Sequence, residues 1–123
     1  MKPTILLVAL VALLGGCAPV GPTAPSPEIR VVNRSQENYA KVIVRFPAGE
    51  VDYGALAAGA ASRYESVDEA YRYAAVDVLV GDERLTMQPI DFVGETPLGQ
   101  GRYSYAIGLA PGGDQLTLEL ETD

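Results

Sequence analysis

The chain has 123 residues and a formal net charge of -7, which suits one ordinary domain and removes the basic footprint that nucleic acid or an anionic lipid surface requires. It has no histidine and a single cysteine, so the commonest general base is missing, and neither an internal disulfide nor a zinc site of the usual Cys/His kinds can form. With 48% apolar and 20% charged residues, the composition is that of a folded chain.

Met1-Lys2 is a short basic start, and Ile5 to Leu14, "ILLVALVALL", is an unbroken apolar run. At about ten residues it is half the length a spanning helix needs, about twenty, and behind a positive charge it reads as a signal-peptide core. The run ends in Leu14-Gly15-Gly16-Cys17. This stretch resembles the lipobox of bacterial lipoproteins. The resemblance implies a diacylglycerol on the Cys17 sulfur, cleavage that makes Cys17 the first residue, and often an acyl chain such as palmitate on its amine. Two or three chains on one residue hold far more firmly than one, since each buried CH₂ contributes about 0.8 kcal/mol. Ala18 follows the cysteine where the enterobacterial inner-membrane retention pattern has aspartate. By that resemblance the expected place is the cell envelope, at the outer membrane rather than the inner.

Prolines at 19, 22, 25 and 27 make Ala18 to Pro27 a poor helix or central strand. The stretch reads as an extended spacer rising about 3.1 Å per residue. The expected organisation is a signal peptide over 1–16, the lipidated Cys17 and a proline-rich linker over 17–27, and a β-sandwich over 28–123.

From Glu28 onward the dominant period is two. "AKVIVRF" puts Ala40, Val42, Val44 and Phe46 on one face; "RYSYAIGL" groups Tyr103, Tyr105, Ile107 and Leu109; "QLTLELE" groups Leu116, Leu118 and Leu120. These are antiparallel strands with one face buried. "EIRVVN" and "AAVDVLV" alternate less strictly, and "ERLTMQ" is expected to pair with the latter across Gly81-Asp82. "GALAAGAASRY" and "PLGQGRYSY" read as turns feeding strands. In "SVDEAYRYA", Ser66 with Glu69 three residues on suggests a capping box, so Val67–Arg72 is either one helical turn or a strand. The sum is all-β: a small antiparallel two-sheet sandwich of about seven or eight strands, with a small closed barrel as the rival. "GRYSYAIGL" and the hairpin it opens resemble transthyretin-like and immunoglobulin-like sandwiches. "QPIDFVGETPLGQGRYSYA" is similar to small bacterial lipoproteins.

Two groups of residues are candidates for partner binding. Tyr71 and Tyr73 would share a face if extended, offering rings to sugar or peptide. The connection "PIDFVGETPLG" carries Phe92 flanked by Asp91 and Glu95; its aromatic either plugs one end of the core or stands out as an anchor. Asp77, Asp82 and Glu83, with Asp91 and Glu95, read as solvated surface rather than a glycosidase pair. No serine has an imidazole to activate it. No cofactor and no metal is expected.

The sequence therefore points to a lipid-anchored, non-enzymatic envelope protein with a structural role or a protein partner. The alternatives are a glycan-binding module using surface tyrosines and an acidic inhibitor of a basic envelope hydrolase. A chain lacking the first 27 residues is expected to be β-rich by circular dichroism and to melt cooperatively; a largely helical spectrum would contradict the sandwich.

Overall fold

The structure is a computed structural model, and it describes residues 26–89 and 96–123. These form eight strands: β1 Pro27–Asn33, β2 Tyr39–Phe46, β3 Gly49–Leu56, β4 Glu65–Ser66, β5 Ala75–Val80, β6 Glu83–Met87, β7 Gly101–Leu109 and β8 Leu116–Thr122. They make two four-stranded sheets, β4-β1-β7-β8 and β3-β2-β5-β6, packed face to face as an open sandwich and not a closed barrel. In an immunoglobulin constant domain the first two strands share a sheet; here β1 and β2 lie in different sheets.

Short connections make the two hairpins of the second sheet, which β2 and β5 join by pairing at its centre. Pro47-Ala48 joins β2 to β3, with Phe46 opposite Gly49. Gly81-Asp82 joins β5 to β6, with Val80 opposite Glu83, as the turn chemistry predicts. Gly81 sits at φ +59°, a region open to glycine at little cost. The first sheet is different. Its strands are not all antiparallel: β1 runs parallel to β7 in unbroken register from Pro27↔Gly101 to Asn33↔Ile107. Pro27, the last residue of the stretch read as spacer, opens β1 and is fully buried. A strand's first position is one of the few that proline tolerates, and its carbonyl accepts the Val67 N–H at 3.0 Å.

The alternating apolar residues meet between the sheets. Ile29 and Val31 of β1, Val42 and Val44 of β2, Val76 and Val78 of β5, and Tyr105 and Ile107 of β7 have almost no exposed surface. Each such side chain contributes about 1.5–3 kcal/mol by leaving water. Leu116 and Leu118 of β8 are buried as their phase requires, and Leu120 is half-buried.

Strand β2 departs from simple alternation. Between Tyr39↔Leu56 and Val42↔Gly54 it advances three residues while β3 moves two. This bulge leaves both Ala40 and Lys41 exposed and turns Tyr39 inward. Ala40, expected in the core, is therefore outside. One step later the extra residue is on β3: Val42 faces Gly54 while Ile43 faces Asp52, so Tyr53 has no partner and points into the core. Gly54 supplies the required φ of +80°.

The stretch from Val67 to Ala74 is neither the helical turn nor the strand expected of it. It is an irregular crossover from β4 to β5. Val67, Ala70 and Ala74 face inward, and its backbone is held from outside itself: Ala70 O accepts the Leu98 N–H, and Tyr71 O accepts the Tyr105 hydroxyl. Those bonds replace the helix or ladder pairing that a buried backbone would otherwise need.

At the other end of the sandwich, Asn33 organises the turn after β1. Its side chain is fully buried, with the amide donating to Glu37 O at 2.8 Å and Leu56 O at 3.0 Å. Its carbonyl oxygen accepts from the Ser35 N–H and hydroxyl. Asn33→Ala would remove all four of these bonds, the buried one to Leu56 O among them. It is expected to lower unfolding free energy by about 1–3 kcal/mol or more, read as a fall in the urea midpoint at constant m-value. Asn33→Asp is also expected to destabilise, because a carboxylate cannot donate to the two carbonyls.

Candidate functional site

The crossover 67–74 spans the end of the sandwich at which the chain enters. Glu28 of β1 pairs with Ser66 of β4, Val67 is bonded to Pro27, and Arg45 near the end of β2 faces Ala75 at the start of β5. The crossover thus runs from the first strand's beginning to the second sheet. Beside it a groove of about 190 Å³ is lined by Phe46, Gly49, Val51, Ser66, Val67 and Asp68.

The two tyrosines of this segment have different surroundings. Tyr71 is half-buried and its hydroxyl donates to the Glu69 carboxylate. Tyr73 is 42% exposed and is the large apolar side chain that stands out among the described residues. Between them Arg72 is exposed. Arg30, Arg34, Lys41, Arg45, Arg63, Arg84 and Arg102 all have a carboxylate within 4.0 Å. Among the described residues Arg72 alone of the cations has no such partner. Sequence reasoning picked out the tyrosines and passed over the arginine, because only the ion pairs formed elsewhere reveal it as unmatched. Cys17, Asp91, Phe92 and Glu95, the remaining expected site residues, lie outside the described residues.

The outer face of the first sheet carries a second cluster. Tyr64 lies between two guanidinium groups, Arg102 at 4.8 Å and Arg30 at 5.0 Å from its ring centre. Its hydroxyl donates to the Asp123 carboxylate at 2.7 Å, which also accepts from the Ser104 hydroxyl at 2.6 Å. Hydrogen bonding to that carboxylate pushes the Tyr64 phenol up, while the Ser104 hydroxyl leads in holding Asp123 below the ordinary carboxylate range. Arg102 closes onto Glu28 at 2.8 Å. Every charge here is answered within the cluster. Arg30 and Asp123 both bond to Ser104, which is buried on the solvent side of its sheet, as is Ala106. Tyr103 and Tyr105 take the core phase expected of them: Tyr105 is fully buried, and Tyr103 is half-buried with its hydroxyl on Gly99 O.

The second sheet has one buried acid. Asp77, expected at the solvated surface, has a side chain only 8% exposed, with Arg45 at 2.6 Å and Arg84 at 3.3 Å. It lies on the central strand β5, where its neighbours are Ile43 and Thr86. Asp82 and Glu83 are exposed at the hairpin turn. No group of three or more acids or cysteines placed to hold a metal occurs among the described residues.

No family model matches the chain. No curated protein matches it either. Among solved structures it is similar to an NMR structure of a protein from Eubacterium rectale, with a TM-score of 0.56 and 18% identity over 76% of this chain and 87% of that one. At that identity the likeness is one of fold.

The buried acid sets a pH dependence. The Arg45 hydrogen bond holds the Asp77 carboxyl below its ordinary value, outweighing the desolvation that pushes it up. A carboxyl lowered on folding stabilises fully above its unfolded pKa, and that contribution is lost as pH falls through the folded one. The melting midpoint is therefore expected to drop on acidification through and below the ordinary carboxylate range. Asp77→Asn should flatten part of that drop while lowering the midpoint at neutral pH. A variant with an unaltered acid limb would show that other carboxylates carry the effect.

Proposed function

We propose that this chain is a lipid-anchored envelope protein whose sandwich is a non-catalytic module, structural or protein-binding. The observation that carries the reading is Leu14-Gly15-Gly16-Cys17 behind a short apolar run and ahead of a proline-rich stretch. That order gives an address, an attachment point and a spacer in succession, and a folded domain begins where the spacer ends. Ala18 favours the outer membrane. The absence of histidine from the whole chain leaves its serines without the usual base and supports a binding role over hydrolysis.

A protein partner has more support than a sugar. Stacking on sugar would be strongest with both rings of Tyr71 and Tyr73 on offer. Tyr71 is half-buried and its hydroxyl is engaged by Glu69, so of the two rings only that of Tyr73 stands out.

Metabolic labelling with a fatty acid tests the anchor. The parent chain is expected to take up label and be cut before Cys17; Cys17→Ser is expected to take up none and to accumulate as uncut precursor. A labelled Cys17→Ser chain, or an unlabelled parent, would overturn the reading.

A further inference from the structure

We infer that the end of the sandwich carrying Arg72 and Tyr73 rests on the bilayer surface, with Tyr73 among the headgroups and Arg72 on a phospholipid phosphate. The inference rests on the lipid-anchor reading and adds an orientation to it.

Three observations converge on one end of the molecule. The chain enters the fold at Pro27, whose carbonyl is bonded to Val67 at the start of the crossover. Cys17 is ten positions earlier in the sequence, a reach of at most about 33–36 Å by the extended-chain rise. A surface on this end is thus held close to any membrane in which Cys17 is anchored. The same crossover presents the exposed aromatic, Tyr73, and Arg72, the arginine with no carboxylate partner among the described residues. Tyrosine is enriched at membrane interfaces, where its ring can sit in an apolar layer and its hydroxyl in water. Arginine's planar fork suits phosphate oxygens. Among the described residues neither side chain has a hydrogen-bond or ion-pair partner, and a short tether raises the local concentration of the surface enough for a weak contact to close.

Charge narrows the lipid. Asp68 is exposed in the same crossover, Glu69 is half-exposed, and the chain is acidic as a whole. An anionic leaflet would repel these groups, so the surface fits a zwitterionic one, in which Arg72 meets phosphate without a net negative field. The domain would then lie against the membrane instead of standing off by the full length of its spacer.

The chain contains no tryptophan, so one introduced indole reports its own surroundings. Full-length Tyr73→Trp is purified from bacterial membranes, and its mass shows whether Cys17 carries lipid. Lipidated chain is reconstituted into phosphatidylcholine vesicles with brominated acyl chains; chain found with a free thiol is coupled there through a maleimide lipid. The orientation is thereby tested whether or not the anchor reading holds. Tyr73→Trp is expected to show blue-shifted emission and strong quenching by the brominated lipid. Glu83→Trp, at the hairpin turn of the opposite end, is expected to show neither. Adding Arg72→Ala to the Tyr73→Trp chain should reduce the quenching, as should replacing part of the lipid by phosphatidylglycerol. Equal quenching at both positions, or none at position 73, overturns the inference. An indole at 73 that lipid does not quench, but that native membranes shield from iodide, overturns it in favour of a protein covering this end.

Discussion

Two tyrosine hydroxyls bridge the sheets, and the sandwich depends on them. Tyr39 of β2 reaches across to the carbonyl of Ile107 on β7 at 2.9 Å; Tyr53 of β3 reaches to the carbonyl of Ile29 on β1 at 2.8 Å. Stacked sheets stand about 10 Å apart, and a tyrosine is long enough to cross that gap while its ring stays in the apolar layer. A hydroxyl buried at the far side must find an acceptor or cost free energy. Each bridge therefore fixes the position of one sheet over the other in a way that valine and isoleucine, which touch without direction, do not. Burial leads in raising both phenols above their ordinary pKa, so they stay protonated and keep donating across the physiological range.

The bridges also account for the irregularities of β2 and β3. Tyr39 turns inward because a bulge puts Ala40 and Lys41 both outside, and Tyr53 because its own strand carries the compensating extra residue. Bulges commonly re-aim a side chain. Here the pair returns the register to normal by Val44↔Val51, so the disruption is confined to the stretch that delivers the two rings.

These irregularities also mark where the sequence was legible and where it was not. Strand β8 could be read with its faces, as could the core face of β7 and the Gly81-Asp82 hairpin, because their signals are local; that Ser104, Ala106 and Gly108 on the other face of β7 are buried too was not legible. Strand β3 was not legible: Gly54 and the extra Tyr53 break its alternation, and Pro47-Ala48 is a less conspicuous turn than Gly-Asp. A period-two reading places Ala40 inside because it has no means of seeing a bulge. The parallel pairing of β1 with β7 joins segments 74 residues apart, as from Arg30 to Ser104, and nothing within either segment announces the other. At the candidate site the tyrosines were visible as types, whereas the isolation of Arg72 is a property of the whole charge distribution.

The parallel pairing has a mechanical consequence. β1 lies between β4 and β7, with seven residues in continuous register against β7. A pull on the chain before Pro27, directed along the strand, loads the hydrogen bonds of that register together and in shear. It cannot open them one at a time from the end, as a pull across the strand would. Arg102 on Glu28 and the Val67 bond to Pro27 brace the loaded end further. Drag on the domain would therefore be borne by the strongest direction of its first sheet, while the two-residue β4 at the edge would yield first.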